Sequence, residues 1–232
     1  GHEVVIFDNL SRRGTALNLE YLREKYPNIG FVRGDIRRPE SVTALFRKYT
    51  YDAVLHLASQ VAVTTSVLNP REDFEINAGG SLNVLEAMRE AGSKAVLVFA
   101  STNKVYGGME DLVIVEKGGR YDYRDYPDGL SEAAPLDFHS PYGCSKGAAD
   151  QYVRDYARIY GLNTVVFRQS CIYGYRQFGI EDQGWVAWFT MASLAGLPIT
   201  VYGDGKQVRD VLFVTDLVRA YDLAIQNIQT TQ

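Results

Sequence analysis

Short apolar segments alternate with amphipathic ones along most of the chain, and this alternation restricts the fold more than any other feature of the sequence. Glu3–Asp8, Asp52–Leu57 and Lys94–Ala100 are apolar runs of strand length. Apolar residues stand at consecutive positions within them, which is typical of strands buried on both faces of a parallel sheet. Segments with helical periodicity separate these runs. The sequence therefore predicts an α/β fold with a doubly wound parallel sheet.

Further elements of both kinds follow along the chain, and prolines mark several of their ends. Pro27 ends the first helix and Pro39 begins the second, since proline fits the first turn of a helix but not its interior. The stretch Gly107–Ala134 is rich in Gly, Tyr and Asp and predicts irregular loops. The additional predicted elements are the helices Thr15–Tyr26, Pro39–Tyr49, Pro70–Ala91 and Pro141–Tyr160 and the strands Gly30–Arg33 and Asn163–Arg168.

The character of the sequence changes after Arg168. The predicted elements there are an apolar helix over Gly184–Gly196, short strands over Ile199–Tyr202 and Val208–Phe213, and a last helix over Asp216–Ile228. These elements are too few for a complete second domain. We therefore expect a large α/β domain over residues 1–168 and, over residues 169–232, the beginning of a smaller region that binds the substrate.

Composition narrows the classes of function. A net charge of -4 over 232 residues gives no reason to expect nucleic acid or an anionic membrane as a partner. No apolar run approaches the roughly 20 residues that a membrane-spanning helix needs. Cys144 and Cys171 are the only cysteines, which favours a reducing, cytoplasmic compartment. The scattered His and Cys residues show no spacing typical of metal ligands.

One segment has a spacing with a direct chemical use. Tyr142 and Lys146 are four residues apart in a predicted helix, so their side chains lie on one face, one turn apart. Ser140 is suited to the N-cap, Pro141 to the first helical position and Gly161 to the end of this helix. A neighbouring ammonium would lower the pKa of the tyrosine, which could then act as a base nearer neutral pH. The spacing alone is weak evidence, because two surface residues can share it by chance.

Four sites stand directly after predicted strands, where an open α/β sheet binds its ligands. The carboxylate of Asp8 can accept hydrogen bonds from both hydroxyls of an adenosine ribose, although it can equally be a solvated loop acid. The same carboxylate would repel a 2′-phosphate, which favours NAD over NADP. The nearby Arg12 and Arg13 weaken this preference, because arginine can bind a 2′-phosphate. Asp35 and Ile36 follow the next strand and can flank adenine, but an ordinary turn is the simpler explanation for them.

The two later strand ends complete this set. The third strand ends in small residues up to Ala58 that would let a cofactor approach the backbone, while His56 is expected to be a packed core histidine. Thr102 follows the Lys94–Ala100 strand and can point across the crevice at Tyr142. Thr102, Tyr142 and Lys146 then form a proton-handling set, in which the hydroxyl orients, the phenol exchanges a proton and the ammonium tunes the phenol.

A dinucleotide-binding domain of the Rossmann type needs a glycine-rich phosphate loop roughly 20 residues before its ribose-binding acid. Only seven residues precede Asp8, and G-x-G-x-x-G occurs nowhere in the chain. Either the chain does not bind a dinucleotide, or it is a fragment of a Rossmann-like domain without the first strand and phosphate loop. The run Gly1–Asp8 is typical of a helix end followed by a second strand, which favours the fragment.

Seven runs of the sequence are typical of one enzyme family. They are Phe7–Arg12, Gly34–Arg37, Asp73–Asn77, Ser101–Gly107, Leu136–Asp150, Asp182–Trp185 and Gly205–Val211. In these runs the chain resembles the NAD-dependent nucleotide-sugar epimerases of the extended short-chain dehydrogenase/reductase family, and the resemblance covers nearly the whole chain. The Y-x-x-x-K spacing marks only the superfamily, whereas residues 136–150 and 182–185 are far more specific.

The resemblance implies a role for each matching residue. Tyr142 would be the catalytic acid/base, Lys146 would lower its pKa and hold the nicotinamide ribose, and Thr102 would hydrogen-bond the reacting hydroxyl. Arg209 would neutralise the diphosphate of the sugar nucleotide, to which a guanidinium is suited, unless it forms only a surface salt bridge. The residues implied to contact NAD are Asp8, Asn9, Ser11, Arg12, Asp35 and Ile36 at its adenosine end and Leu57, Ala58, Gln60 and Asn77 along the rest.

The resemblance also implies the reaction. NAD would be a bound cofactor, and the substrate a nucleotide sugar, in the first place a CDP-linked dideoxy sugar epimerised at C2 through a transient keto sugar. Asn103 and Lys104 stand where the related 4,6-dehydratases carry Asp-Glu, so the acid/base pair for removing water is missing. A homo-oligomer is implied as well. The alternatives are C4 epimerisation of a UDP-sugar, a non-catalytic dinucleotide sensor and an inert NAD-binding fragment.

Overall fold

The computed structural model describes residues 2–228 and has the layered α/β architecture that the sequence predicts. Its strands are β1 (Val5–Asp8), β2 (Gly30–Arg33), β3 (Ala53–His56), β4 (Val96–Thr102), β5 (Ile114–Lys117), β6 (Arg120–Tyr123), β7 (Thr164–Gln169), β8 (Ile172–Tyr173) and β9 (Leu212–Phe213). Its α-helices are α1 (Thr15–Lys25), α2 (Pro39–Lys48), α3 (Val63–Leu68), α4 (Pro70–Phe74), α5 (Gly80–Glu90), α6 (Ser140–Tyr160), α7 (Trp185–Ala195) and α8 (Val214–Gln226).

The strands of the central layer run parallel, which confirms the predicted sheet type. β1 pairs with β2, and β4 lies between β3 and β7 with Val98 opposite Leu55 on one side and Val165 on the other. Helices connect the parallel neighbours, as parallel pairing requires. Among residues 2–228, no ladder of hydrogen bonds joins the β1–β2 pair to the β3–β4–β7 sheet. Residues of β1 and β3 both line one broad cleft.

The core lies on both faces of β4. Leu97 and Phe99 are fully buried on the face covered by α2, α5 and α6, and Val96 and Val98 are buried on the face covered by α8. The partners on the first face are Val42, Val84, Leu85, Met88, Ala149 and Val153, and on the second Leu217 and Tyr221. This period of two explains why the strand is apolar throughout. Each buried side chain of this size contributes about 1.5–3 kcal/mol.

The predicted helix Pro70–Ala91 is confirmed as one continuous rod with an irregularity inside it. α4 passes directly into a π-helical turn, Glu75–Gly79, and this turn passes into α5 without leaving helical dihedrals. Asn69 caps its start, where its side chain accepts the amide of Glu72 at 3.4 Å. Such π turns are frequent at functional sites, and this one carries Asn77.

The region Gly107–Ala134 is not irregular throughout, and that prediction is wrong for residues 114–123. β5 and β6 form an antiparallel hairpin with Gly118 and Gly119 between them at φ values of 61° and 80°. A Gly-Gly pair between two short strands is a typical signal for a two-residue hairpin turn, and the sequence contained it. The hairpin is held to the 204–206 loop, since the Tyr121 hydroxyl donates to Asp204 at 2.6 Å.

The two strands predicted after Arg168 are largely wrong. Ile199–Tyr202 forms no strand, and Val208–Phe213 is reduced to the two residues of β9, which pair with β8. An apolar run becomes a strand only where a partner offers its backbone groups, and no described residue offers them to 199–202. The predicted helices are confirmed as α7 and α8. α8 shares a core with β4 of the large domain. The predicted boundary between two domains at residue 168 stays a prediction.

Within residues 2–228, no helix combines the length and the hydropathy needed to cross a membrane. In the same part of the chain, no three His, Cys, Asp or Glu side chains are grouped as metal ligands.

Candidate active site

Helix α6 brings Tyr142 and Lys146 to one wall of the cleft. The helix begins at Ser140, which the sequence had placed at the N-cap just outside it. The Ser140 hydroxyl nevertheless accepts the first-turn amide of Gly143 at 3.2 Å and so satisfies a donor that the helix leaves free. Gly161 ends the helix in the left-handed conformation at φ 67°, as predicted.

Tyr142 is buried, with 8% of its surface exposed. Its backbone amide donates to the Ser66 hydroxyl at 3.1 Å, which ties α6 to α3. Burial raises the pKa of Tyr142, a hydrogen bond with the Thr102 side chain lowers it, and the charge of Asp73 raises it. The net direction is upward, so the lowered pKa expected from the Tyr–Lys spacing is wrong for this structure, because desolvation of the phenolate dominates.

Lys146 is buried more deeply, with 3% of its surface exposed. Its Nζ donates to the carbonyl oxygen of Ala100 at 2.5 Å and lies 4.3 Å from the centre of the Phe99 ring. Burial lowers the pKa of Lys146 to about 7, against the opposing charges of Asp150 and Asp73. Near neutral pH this side chain therefore exchanges readily between ammonium and amine.

Thr102 completes the predicted set of three. It is the last residue of β4, is 6% exposed and lies opposite Gln169 of β7. Its hydroxyl oxygen accepts the amide of Lys104 at 3.3 Å and shares a hydrogen bond with Tyr142. The structure thus brings Thr102, Tyr142 and Lys146 together at the carboxyl end of β4, where a parallel sheet binds its ligands.

The residues predicted at the adenosine end gather at the carboxyl ends of β1 and β2. Asp8 ends β1 and accepts a backbone amide two residues on at 2.5 Å, and Asn9 accepts the amide of Ser11 at 3.0 Å. Asn9 also donates to Asp35 at 3.1 Å and so links the two strand ends. The guanidinium of Arg37, 2.7 Å away, holds the pKa of Asp35 well below its usual range. The carboxylate of Asp35 therefore remains a charged acceptor at neutral pH.

Two predicted contacts of the adenosine end are placed differently. Arg12 donates to the side chain of Gln183, so its guanidinium is already engaged. Ile36 is 7% exposed and packs on Gly80 of α5, where an added Cβ would lie 2.5 Å from its Cδ1. The Ile36 side chain packs in the core and also lines the cleft, and its contact with adenine stays a prediction.

The remaining predicted cofactor residues divide into exposed and buried ones. Leu57 and Ala58 follow β3 and are exposed on the cleft. Asn77 is 1% exposed. Its side-chain oxygen accepts a hydrogen bond from the backbone amide of Gln60 at 2.9 Å, and its Nδ2 donates to the backbone carbonyl of Gln60 at 3.1 Å. Gln60 in turn donates to Asp73 at 2.7 Å. Gln60 and Asn77 therefore brace the loop after β3 from beneath.

His56 is a packed core histidine, as predicted. It is 5% exposed, and its Nε2 lies 2.9 Å from the hydroxyl of Ser81. Burial lowers its pKa to about 3, so it stays neutral at physiological pH.

Arg209 lies on an exposed, irregular stretch that lines the same cleft as Tyr142. Its guanidinium donates to the carbonyl of Val208 at 3.0 Å, and none of the ion pairs formed by residues 2–228 includes it. The alternative of a surface salt bridge therefore finds no support among these residues. Its contact with a diphosphate stays a prediction.

Sequence reasoning missed two buried carboxylates beside Lys146. Asp150 is fully buried one turn further along α6, accepts the Ser101 hydroxyl at 2.7 Å and pairs with Arg168 through two contacts of 3.0 Å. The spacing of four from Lys146 was a readable signal for it. Asp73 is 1% exposed and reaches this place only because α4 packs on α6, which no local pattern reports.

The described residues suit the two ends of a dinucleotide. Asp8 and Asn9 provide carboxylate and amide groups beside β1 for a ribose and base, and Tyr142 and Lys146 provide polar atoms beside β4 for a second ribose. No glycine-rich turn at a helix N-terminus lies between them among residues 2–228, so the pyrophosphate has no cradle in this part of the chain.

A parallel α/β sheet with a Tyr–Lys pair and a threonine at one strand end and a carboxylate at another defines an enzyme of the short-chain dehydrogenase type. The chain belongs to the NAD dependent epimerase/dehydratase family, whose profile matches residues 1–232. The resemblance drawn from the sequence runs is thereby confirmed at the level of the family.

Individual relatives are similar over nearly the whole chain. CDP-paratose 2-epimerase of Salmonella typhi is 52% identical over 233 residues, which cover 98% of this chain and 69% of that protein. UDP-glucose 4-epimerase of Thermotoga maritima, solved with UDP-glucose, has a TM-score of 0.79 at 34% identity over 97% of this chain and 65% of its own. UDP-glucose 4-epimerase of Thermus thermophilus, solved with NAD, has a TM-score of 0.76 at 36% identity over 96% and 66%.

Proposed function

We propose that the protein is an NAD-dependent nucleotide-sugar epimerase that inverts C2 of a CDP-linked dideoxy sugar and so converts CDP-paratose to CDP-tyvelose. The observation that carries this proposal is the joint burial of Thr102, Tyr142 and Lys146 at the end of β4. The chain in which they stand is 52% identical to CDP-paratose 2-epimerase. Its identity to the two UDP-glucose 4-epimerase structures is lower, at 34% and 36%.

Each of the three residues takes part in this reaction. Tyr142 takes the proton of the C2 hydroxyl and returns it after the keto sugar has turned over in the site. Thr102 hydrogen-bonds the reacting hydroxyl and, through its contact with the phenol, favours the phenolate. The Lys146 ammonium stabilises the same phenolate by its charge. NAD, when bound, supplies the hydride acceptor and donor at its nicotinamide ring.

The chemistry after β4 supports epimerisation over loss of water. Asn103 and Lys104 lie in a short 3₁₀ turn directly after Thr102. Asn103 donates to the Ser170 hydroxyl at 3.3 Å, and Lys104 is exposed. Neither an amide nor an ammonium can replace the carboxylic acid and carboxylate that an elimination at this place requires. The reaction therefore returns to a sugar of unchanged composition.

The adenosine end supports NAD as the cofactor. The carboxylate of Asp8 suits a ribose with two free hydroxyls and repels a 2′-phosphate. Arg12 donates to the side chain of Gln183. Asn9 and Ser11 complete the turn around this position, and Arg209 would hold the diphosphate of the substrate.

Replacement of the phenol tests the assignment of Tyr142. In the full-length protein, Tyr142→Phe removes only the hydroxyl that exchanges the proton, so turnover should fall by about 10²–10⁴-fold while NAD still binds. Epimerisation is followed by NMR of the product sugar, and NAD binding by calorimetry. Turnover close to that of the wild type would rule out Tyr142 as the acid/base.

A second candidate is epimerisation at C4 of a UDP-sugar. It is favoured by the similarity to the Thermotoga enzyme that was solved with UDP-glucose. A panel of CDP- and UDP-linked sugars, with the inverted carbon identified by NMR, separates the two. Inversion at C4 of a UDP-sugar, with no change in CDP-paratose, would replace the first proposal. A homo-oligomer and a cytoplasmic location stay predictions.

A further inference from the structure

Asp73 is a buried carboxylate that the proposed chemistry leaves unused. It lies in α4, is 1% exposed, and takes part in none of the ion pairs formed by residues 2–228. Its oxygens accept hydrogen bonds from three neutral side chains: Ser145 at 2.5 Å, Gln60 at 2.7 Å and Asn77 at 3.2 Å. A buried charge without an adjacent cation is unfavourable, so a purely structural position would favour a neutral side chain.

The three donors connect Asp73 to both walls of the site. Ser145 directly precedes Lys146 on α6, and its hydroxyl also receives the Asn77 amide at 3.1 Å. Gln60 belongs to the loop after β3 and is held by Asn77 as well. The carboxylate of Asp73 is therefore the point at which the loop after β3, the π turn and the catalytic helix meet.

The other charges around Lys146 are compensated or neutral. Asp150 lies one turn away, but its carboxylate is paired with the guanidinium of Arg168. His56 is neutral, because burial lowers its pKa to about 3. Asp150 and Asp73 both act on Lys146, but only the carboxylate of Asp150 has a cation paired with it.

We propose that Asp73 is a positioning residue, whose carboxylate holds α6 against the loop after β3 through Ser145 and Gln60 and serves as a second buried counter-charge, besides Asp150, for the Lys146 ammonium. This rests on the proposed function of Tyr142 and Lys146. The charge of Asp73 favours the proton on both of these groups. Without it, the Lys146 ammonium and the Tyr142 phenol would both release their protons at lower pH.

The first test compares pH profiles of turnover in the full-length protein. Asp73→Asn removes the charge and should displace both limbs of the kcat profile toward lower pH, by roughly one unit. Ser145→Ala is the matched control, because it removes a hydrogen bond to Asp73 and leaves the charge in place. We expect this control to lower kcat while its limbs stay at the pH values of the wild type.

The second test does not depend on turnover. In the protein without ligands, the Lys146 amine and the Tyr142 ring are titrated by NMR with labelled lysine and tyrosine, and the resonances are assigned with Lys146→Met and Tyr142→Phe. Asp73→Asn should lower both midpoints. Turnover that survives Tyr142→Phe would contradict the proposed function, whereas unchanged midpoints would contradict the role of Asp73, so the two failures are distinguishable.

A folding defect would not end the test. If Asp73→Asn does not fold, Asp73→Ser offers a smaller neutral acceptor to Ser145 and should lower the same midpoints. If the Lys146 and Tyr142 midpoints are unchanged in a folded neutral variant, Asp73 has only a structural role. If Ser145→Ala displaces the pH profile as much as Asp73→Asn does, the charge of Asp73 is not the cause, and only its hydrogen bond to Ser145 matters.

Discussion

Lys146 is the residue whose surroundings differ most from those its chemistry prefers. An ammonium is strongly hydrated in water, yet this one has a single carbonyl, an aromatic face and two carboxylates beyond contact distance around it. Burial lowers its pKa to about 7 from 10.5. Burial of the Lys146 ammonium therefore destabilises the folded protein, which is typical of functional groups with strongly perturbed pKa values.

The cost of burying this ammonium predicts that the stability of the protein depends on pH. Between pH 7 and 10.5 the unfolded chain holds a proton that folded Lys146 has released. The free energy of unfolding should therefore rise with pH across this window, by up to about 1.4 kcal/mol per unit. Lys146→Met removes this contribution, so the variant should be more stable than the wild type near pH 7 and keep roughly half of this advantage at about pH 9. Urea denaturation at both pH values measures this.

The exposed Lys104 provides the control for this experiment. Lys104→Met replaces a lysine by methionine at a position that is not buried, and it is denatured at the same two pH values. If the advantage of Lys146→Met over the wild type did not change with pH, the Lys146 ammonium would have to be as stable in the folded protein as in water.

At the residue level, the sequence predicted those features that depend on local spacing. Tyr142 and Lys146 are joined by the period of one helix, and Thr102 by its place at a strand end. The direction of the Tyr142 pKa was not predictable, because burial decides it and burial is a property of the packed molecule. The location of Ile36 in the core depends on Gly80, a residue that stands far away in the sequence.

Among the elements, the rod of α4, the π turn and α5 is the one most sensitive to small changes. Gly79 and Gly80 stand side by side in it, both with helical dihedrals. A Cβ on Gly79 would meet only a carbonyl oxygen at 3.8 Å, whereas a Cβ on Gly80 would lie 2.5 Å from Ile36. The two neighbouring glycines therefore form a matched pair.

Substitution of these glycines should have opposite effects on stability. Gly79→Ala should raise the free energy of unfolding by about 0.5–1 kcal/mol, because alanine restricts the unfolded chain and fits the helix. Gly80→Ala should lower it by about 1–3 kcal/mol, because Ile36 must move within a packed core. Chemical denaturation of both variants measures the difference. A Gly80→Ala protein as stable as Gly79→Ala would show that α5 is free to move away from Ile36.

The elements with strong periodicity were predictable to within a few residues, and those that depend on a partner were not. α6 was predicted from its stripe, proline and closing glycine. The β5–β6 hairpin was not predicted although Gly118 and Gly119 mark its turn, because the composition of the surrounding stretch is typical of irregular loops. The run at 199–202 has strand composition but no pairing edge, which no local pattern can report.

In the whole molecule, the two ends of the dinucleotide site are present while the pyrophosphate has no cradle among residues 2–228. The β1–β2 pair and the β3–β4–β7 sheet face one cleft without a shared ladder. Asp8 stands at the end of β1, whereas Tyr142 lies in α6, which packs on β4 and β7. The residues at the two ends therefore form one binding site only if the β1–β2 pair and the β3–β4–β7 sheet hold them at the right separation.

This arrangement predicts that the 232-residue chain binds NAD weakly, with a Kd on the order of 1 mM or higher. The pyrophosphate would lack a helix N-terminus, which is the usual source of its stabilisation. Isothermal titration with NAD, and with AMP as a probe of the adenosine end alone, measures both contributions. We expect similar weak binding of the two, and Asp8→Ala should abolish it. Tight binding of NAD by this chain would show that its own residues provide a phosphate site.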